Sequence, residues 1–278
     1  MNRVRLDALV HQRGLTDSRE KAKRLILAGQ VLVKGQRVDR ASALVEDDAR
    51  VEIREGPRYA SRGGLKLEQA LRVFEIAPLG WVAADVGAST GGFTDCLLQH
   101  GATRVYAIDV GYGQLDWRLR QDARVVVMER TNARYLERLP EPMDLVTIDA
   151  SFISLRLILP QARQWLAPGG QVIALVKPQF EAGRSQVGKG GVVRDTQVHR
   201  AVLDDLLDWA LRHGWYLWGL IRSPVKGPKG NVEFLAWLGA AAPAEPVTPK
   251  EAIARAVVEH APDHQPEGPD GGLGAGVS

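Results

Sequence analysis

The sequence of 278 residues has a single cysteine, Cys96, which excludes an intramolecular disulfide and any zinc or iron–sulfur site built from several cysteines. It also lacks an uncharged apolar run of about 18 residues, which excludes a transmembrane helix. The N-terminal stretch MNRVRLDALVHQRG has no apolar core, so we expect no secretory signal. The histidines show no metal-ligand spacing, so we expect no metal site. Together these absences predict a reduced, cytoplasmic protein.

Charge is distributed unevenly along the chain. The formal net charge is +3, but residues 1–45 carry +6 and residues 243–278 carry −4. The C-terminal stretch is also rich in proline and ends in GPDGGLGAGVS, a composition that buries too little apolar surface to offset its chain entropy. We therefore predict that residues 243–278 form a mostly disordered acidic tail, with room for one short helix over Lys250–His260.

Residues 1–58 predict a small α+β module. Apolar residues recur at helical spacing in two segments before Gly29, and Val31 and Val33 then alternate as in a strand. Basic side chains accompany these elements, and the candidate RNA contacts are Arg5, Arg19, Lys21, Lys23, Arg24 and Lys34. A basic helix beside a small sheet suits a phosphate backbone, although charge alone supports a merely solvated helix face equally well.

The segment RLDALVHQRGLTDSREKAKRLILAGQVLVKG resembles the RNA-binding domain named after ribosomal protein S4. The resemblance rests on its Arg-Leu-Asp, Ser-Arg, Leu-Ile and Gly-x-Val positions. It implies binding of structured RNA, without identifying the RNA.

The chain from residue 81 to 242 alternates between apolar runs and helical patterns. The first five runs, from WVAADVG to QVIALVK, are separated by helix candidates, which predicts an α/β fold with a mostly parallel, doubly wound sheet. The last two runs, WYLWGLI and NVEFLAWL, have no long helix between them and predict an antiparallel edge hairpin. Such a hairpin is typical of Rossmann-like methyltransferases. Residues 59–80 are expected to provide a linker and the first helix of this domain.

A glycine-rich turn follows the first of these strands, in the segment DVGASTGGF. This position faces the ligand crevice of a doubly wound sheet, and an acidic residue ending the second strand is placed to bind a ribose diol. The candidate cofactor contacts are Asp85, Gly87, Ser89, Thr90, Gly91, Phe93 and Asp109, with Glu129 and Asn132 near an adenine. The turn and the acidic residue alone do not separate NAD from S-adenosylmethionine, although the spacing departs from G-x-G-x-x-G, which disfavours a dinucleotide. The alternative to a ligand-binding turn is that these glycines serve only the close packing of helix and strand.

Four charged residues are candidates for catalysis: Lys66, Asp149, Lys177 and Glu233. Asp149 and Lys177 each end a parallel strand, so both side chains should converge on the crevice. Glu233 lies in the last predicted strand, where burial is costly without a cationic partner. Taken singly, Lys66 or Glu233 is more often an ordinary surface charge.

Together these four residues match the Lys-Asp-Lys-Glu tetrad of the FtsJ-type ribose 2′-O-methyltransferases. With the N-terminal module and the motifs YASRGGLKL, DVGASTGGFTD, DASFIS and VKPQFE, residues 1–240 resemble the TlyA family, also called haemolysin-like. The resemblance implies 2′-O-methylation of cytidine in ribosomal RNA, with S-adenosylmethionine as methyl donor. We expect Lys177 to contact the hydroxyl as base or oxygen stabiliser.

Further residues are weaker candidates for RNA binding. Arg184 and Lys189 lie in the glycine-rich loop after the catalytic strand, and Arg62 lies in the junction before Lys66. The alternative for Arg184 and Lys189 is a loop that only connects two elements, and the alternative for Arg62 is a helix cap.

For the whole chain, two other functions stay open. One is a non-catalytic RNA-binding factor for ribosome assembly, and the other is a small-molecule methyltransferase, which would leave the N-terminal module unexplained. We expect a monomer that acts on ribosomal RNA or a ribosomal subunit, and no membrane partner.

Overall fold

The computed structural model describes residues 2–54, 56–183, 186–245 and 247–258. It divides into two compact units between Arg58 and Tyr59. Each unit has its own hydrophobic core.

The N-terminal unit packs two helices with short strands. Its elements are β1 (Arg3–Arg5), α1 (Leu6–Gln12), α2 (Arg19–Leu27), β2 (Val31–Val33), β3 (Gln36–Arg37), β4 (Leu44–Glu46) and β5 (Val51–Ile53). The Ser18 side chain caps α2 by accepting a hydrogen bond from the Lys21 N–H. Strand β2 pairs with β3 and β5, and β1 pairs with β4, all antiparallel. The apolar helix faces predicted from the sequence form the core, with Leu6, Val10 and Ile26 fully buried.

The larger unit is built around one seven-stranded sheet. Its strands are β6 (Val82–Val86), β7 (Arg104–Ile108), β8 (Val125–Met128), β9 (Met143–Ile148), β10 (Leu166–Val176), β11 (Tyr216–Arg222) and β12 (Phe234–Gly239). The order is β11-β12-β10-β9-β6-β7-β8, with β12 antiparallel to both neighbours and the other pairings parallel. The predicted α/β class, doubly wound sheet and antiparallel edge hairpin are confirmed.

Helices cover both faces of this sheet, as alternation of buried strands and helices requires. They are α3 (Gly63–Val73), α4 (Gly92–Gln99), α5 (Trp117–Arg120), α6 (Leu159–Trp165), α7 (Pro178–Glu181), α8 (Thr196–Arg212) and α9 (Pro249–Val258). The predicted helix before β10 is divided into a 3-10 turn at Leu155–Leu157 and α6. Strand β12 begins one residue after Glu233, so that side chain lies in the approach to the strand.

The short helix predicted over Lys250–His260 is present as α9, Pro249–Val258, and it is packed against the rest of the larger unit. Ala252, Ile253, Ala256 and Val257 are all buried, and α9 packs against α8 and β11. These four apolar residues repeat every four positions and form one face of the helix, which the average composition of the tail conceals. The part of the predicted tail from 259 to 278 lies outside the described residues.

Candidate active site

Two adjoining cavities lie at the carboxyl ends of the parallel strands. The first has a volume of about 460 Å³ and is lined from α3, the glycine-rich turn and the β11–β12 connection. The second has a volume of about 530 Å³ and extends beyond β7. Both are lined by Gly87, Ser89, Asp149, Ser151 and Phe152, so the two cavities meet at the ends of β6 and β9.

The four predicted catalytic residues all line the first cavity and form two ion pairs. Lys66 Nζ donates to Glu233 Oε2 at 2.5 Å, and both side chains are almost completely buried. Lys177 Nζ lies 2.7 Å from Asp149 Oδ1. Each ammonium group therefore has its own carboxylate, and Lys66 is the cationic partner that offsets part of the cost of burying Glu233, whose Oε1 has no hydrogen-bond partner among the described residues.

Lys177 has further partners at the end of β10. Its Nζ donates to the Ser151 hydroxyl at 2.8 Å and to the Asp149 carbonyl at 3.4 Å. Lys177 is followed at once by Pro178, the first residue of α7, so the ammonium group is held at the boundary between strand and helix. Asp149 and Lys177 lie together, as predicted, because each follows a parallel strand and such strands end at the same edge of the sheet.

The glycine-rich turn brings backbone close to this centre. Gly87 has φ +82°, and a Cβ placed on it would lie 2.7 Å from the Asp149 carbonyl oxygen. Only glycine fits such an approach in this backbone conformation. The turn also places Asp85, Ser89, Thr90 and Phe93 along the first cavity. Gly91 does not line either cavity among the described residues, and instead caps the N-terminus of α4.

Asp109 and Asn132 line the second cavity, on the side of the sheet beyond β6. The Asp109 carboxylate accepts from the Ser89 N–H at 2.8 Å and the Gly111 N–H at 2.7 Å, so it is fixed across the mouth of the crevice. The structure does not place Glu129 in the wall of either cavity. Its carboxylate is occupied by the Gly113 N–H at 2.7 Å and by Arg120 at 2.5 Å, because α5 directs that arginine toward it.

Asp85 is fully buried under the glycine-rich turn. Its Oδ2 accepts from both the backbone N–H and the hydroxyl of Thr94, at 2.8 and 2.7 Å, in the first turn of α4. Burial raises the pKa of Asp85 to about 7, and the nearby Asp149 charge adds to this, against the lowering by the Thr94 hydrogen bonds. Asp85 therefore anchors α4 against β6 in addition to facing the cavity.

Three residues at this site were missed by reasoning from the sequence. Ser151 belongs to no distinctive sequence motif of its own, yet it contacts Lys177 and lines both cavities. Phe152 is 89% exposed, has φ +64°, and its ring lies 5.0 Å from that of Phe180. Glu181, at the end of α7, accepts from the Ser154 hydroxyl and the Leu155 N–H, both at 2.7 Å. The signal available in the sequence was the position of Ser151 and Phe152 directly after Asp149, at the carboxyl end of a predicted parallel strand.

The predicted RNA contacts of the N-terminal unit differ in whether a carboxylate of the same unit neutralises their charge. Arg5 and Arg19 both pair with the buried Asp7, at 2.9 and 3.1 Å, and these two arginines hold the pKa of Asp7 at about 2. Lys21 pairs with Asp17, Lys23 with Glu20, and Lys34 with Glu46. Arg24 is exposed. Part of the predicted basic surface is therefore compensated locally.

Of the predicted RNA contacts in the larger unit, Arg62 is exposed and lines the first cavity. Lys189 is exposed in the loop that the Asn231 side chain anchors, through bonds to the Val193 N–H and the Gly191 carbonyl. Arg184 lies outside the described residues.

Comparison with known proteins identifies the family. Residues 59–240 match the FtsJ-like methyltransferase family, and residues 4–51 match the S4 domain. The chain belongs to the FtsJ-like methyltransferases. The predicted resemblance is confirmed for both parts, and the larger unit is a methyltransferase domain.

Full-length relatives share both parts. The chain is 47% identical over 240 residues to the 16S/23S rRNA (cytidine-2′-O)-methyltransferase TlyA of Mycobacterium tuberculosis, covering 85% of this chain and 90% of the relative. It is 42% identical over 236 residues to Hemolysin A of Brachyspira hyodysenteriae, covering 84% and 98%. The solved structure of a candidate hemolysin from Streptococcus thermophilus is 46% identical, with a TM-score of 0.68, and covers 91% and 95%. Within the described part of this chain, no helix has the length and apolarity needed to cross a membrane.

Proposed function

We propose that this methyltransferase transfers the methyl group of S-adenosylmethionine to the ribose 2′-oxygen of a cytidine in ribosomal RNA. The observation that carries the proposal is the pair of ion pairs, Lys66–Glu233 and Lys177–Asp149, at the junction of the two cavities. The substrate named for the Mycobacterium relative supports cytidine and ribosomal RNA.

The residues present fit the proposed cofactor. Asp109 offers a carboxylate for a ribose diol, and the backbone around Gly87 leaves room for a ligand to approach closely. Asn132 would border the adenine, while Ser89, Thr90 and Phe93 would hold the methionine portion. When bound, S-adenosylmethionine supplies an electrophilic methyl group.

Lys177 is the residue placed to act on the ribose hydroxyl. Its ammonium group is already held by Asp149, while its bond to the exposed Ser151 hydroxyl faces the cavities. A ribose hydroxyl entering the first cavity can replace the Ser151 hydroxyl as hydrogen-bond acceptor of Lys177. Both groups are neutral, so the ion pair between Lys177 and Asp149 is kept. The Lys177 ammonium group then orients the oxygen by a hydrogen bond and stabilises the negative charge that develops on it, whereas a neutral Lys177 amine would act as the base that receives the hydroxyl proton.

Phe152 provides a surface for the substrate base. Its exposed ring, supported by Phe180, lies at the junction of the cavities beside Asp149. Unstacked bases in single-stranded RNA are commonly recognised by stacking on aromatic side chains. A flipped-out cytidine stacked there would have its ribose near Lys177. The S4 unit would bring the enzyme to structured RNA, and the cytoplasm is where such RNA is found.

The test is methyl transfer from labelled S-adenosylmethionine to ribosomal RNA, both naked and assembled in subunits, followed by mapping of 2′-O-methylcytidine. We expect label at cytidine in at least one substrate. Failure to bind the cofactor at millimolar concentration would instead support the non-catalytic assembly factor. Label transferred only to small molecules would contradict the RNA substrate.

A further inference from the structure

The connection between β11 and β12 forms one wall of the first cavity. Val225, Lys226, Gly227, Pro228 and Lys229 all line it. In the sheet order, β12 and β11 lie on one side of the catalytic strand β10, whereas β6 and β7, with the proposed cofactor residues, lie on the other. The wall is therefore on the side of Lys177 opposite the proposed cofactor.

This wall is held rigidly against the ion pairs. The Gly227 N–H donates to the Asn231 carbonyl at 2.8 Å, and the Ser223 N–H donates to the Glu233 carbonyl at 2.9 Å. A Cβ on Gly227 would clash with the Glu233 carboxylate, so the connection packs directly on that side chain. Its position is thus fixed relative to the catalytic centre.

The charges on this wall are not compensated. Of the other cationic groups that line the cavity, Lys66 and Lys177 are paired with carboxylates, and Arg62 is exposed on the α3 side of the cavity. Lys226 and Lys229 are exposed, and neither forms an ion pair with any residue that the structure describes. Lys229 Nζ donates to the Gly190 carbonyl at 3.0 Å, which keeps that lysine close to the neighbouring loop.

Two uncompensated lysines at the mouth of a cavity attract an anion. In RNA the anions next to a target ribose are its flanking phosphodiesters, and lysine contacts to phosphate position a strand without reading its sequence. We propose that Lys226, with Lys229 beside it, binds a phosphodiester of the RNA strand next to the ribose that is methylated. This inference rests on the proposed function and adds the binding site for the backbone of its substrate.

The test compares Lys226→Ala and the double variant with Lys229→Ala against Lys250→Ala, which removes another exposed lysine on α9. For each protein, the affinity for ribosomal RNA is measured directly at several salt concentrations, together with KM, kcat and cofactor affinity. We expect Lys226→Ala to weaken RNA binding and raise KM about tenfold, and to reduce the salt slope by about 0.7 to 1. Lys226→Arg should restore most of the affinity, and Lys250→Ala should match the wild type.

Two outcomes would overturn the phosphate site. One is unchanged RNA affinity and salt slope in both lysine variants. The other is a loss of cofactor affinity with unchanged RNA affinity, which would assign Lys226 to the carboxylate of the methionine portion. Because RNA affinity is measured without turnover, absence of methyl transfer by the wild type would contradict the proposed function separately.

Discussion

At the residue scale, Lys177 has the most direct part in the proposed chemistry. Its ammonium group combines an ion pair to Asp149 with a hydrogen bond to Ser151 at the junction of the cavities. We predict that Lys177→Ala lowers the single-turnover rate of methyl transfer by about a thousandfold, within the range for loss of an acid–base group. Cofactor affinity, measured by calorimetry, should stay within about threefold, because the residues proposed to hold the cofactor are on other loops. Turnover close to that of the wild type would contradict the assignment.

Asp85 gives the methyltransferase unit a specific dependence of stability on pH. Its pKa in the folded protein, about 7, is above the ordinary value of 3.8, so the folded state binds a proton in this range that the unfolded state does not. Lowering the pH from 8 to 5 should therefore stabilise the wild type relative to Asp85→Asn. The expected gain is on the order of 2 kcal/mol, since one pKa unit corresponds to about 1.4 kcal/mol.

Denaturant unfolding of both proteins at several pH values measures this difference. Groups other than Asp85 titrate in both proteins, so their contributions cancel. Parallel stability curves for the two proteins between pH 8 and 5 would show that Asp85 is ionised throughout.

At the scale of elements, Glu181 joins the two segments that carry the ion pair of Lys177. It lies at the end of α7 and accepts two hydrogen bonds from the start of the 3-10 turn that follows β9. Burial raises the pKa of Glu181, and the hydrogen bonds from Leu155 and Ser154 partly offset this by stabilising the ionised carboxylate. We infer that Glu181 is a positioning residue, because it ties the end of α7, which follows Lys177, to the segment that follows Asp149 and Ser151.

We predict that Glu181→Ala destabilises the fold by about 2 kcal/mol and lowers kcat by more than tenfold, because two partly buried donors lose their acceptor. The matched control is Asp144→Ala, since Asp144 accepts a hydrogen bond from the Val82 N–H at 2.8 Å near the opposite ends of the strands. The control should lose stability but retain kcat. Equal kcat in the two variants would reduce Glu181 to a purely structural role.

Helix α9 shows what composition leaves undetermined about an element. The segment after residue 243 is rich in proline and acidic overall, which favours disorder but leaves room for one short helix. Its one apolar face is nevertheless buried against α8 and β11. A helix of ten residues is marginal in isolation, and packing of such a face supplies its stability.

At the scale of the whole molecule, the two compact units predict separable contributions. We expect residues 59–258 alone to bind S-adenosylmethionine as the full chain does, but to bind ribosomal RNA at least about tenfold more weakly and with a smaller salt slope. Filter binding at several salt concentrations and calorimetry measure the two affinities. Equal cofactor affinity shows that the fragment is folded, and unchanged RNA affinity would contradict a targeting role for the S4 unit.

Local sequence patterns are enough to predict the two modules, the order of strands and helices, and the strand ends that carry Asp149 and Lys177. These features follow from local periodicity and from the rule that parallel strands end at the same edge of a sheet. The tertiary structure decided that Lys66 pairs with Glu233, although 167 positions separate them along the chain. It also decided that Glu129 is occupied by Arg120, that Phe152 is exposed, and that α9 is buried. These features depend on how loops and helices pack in the folded chain, which local sequence patterns do not encode.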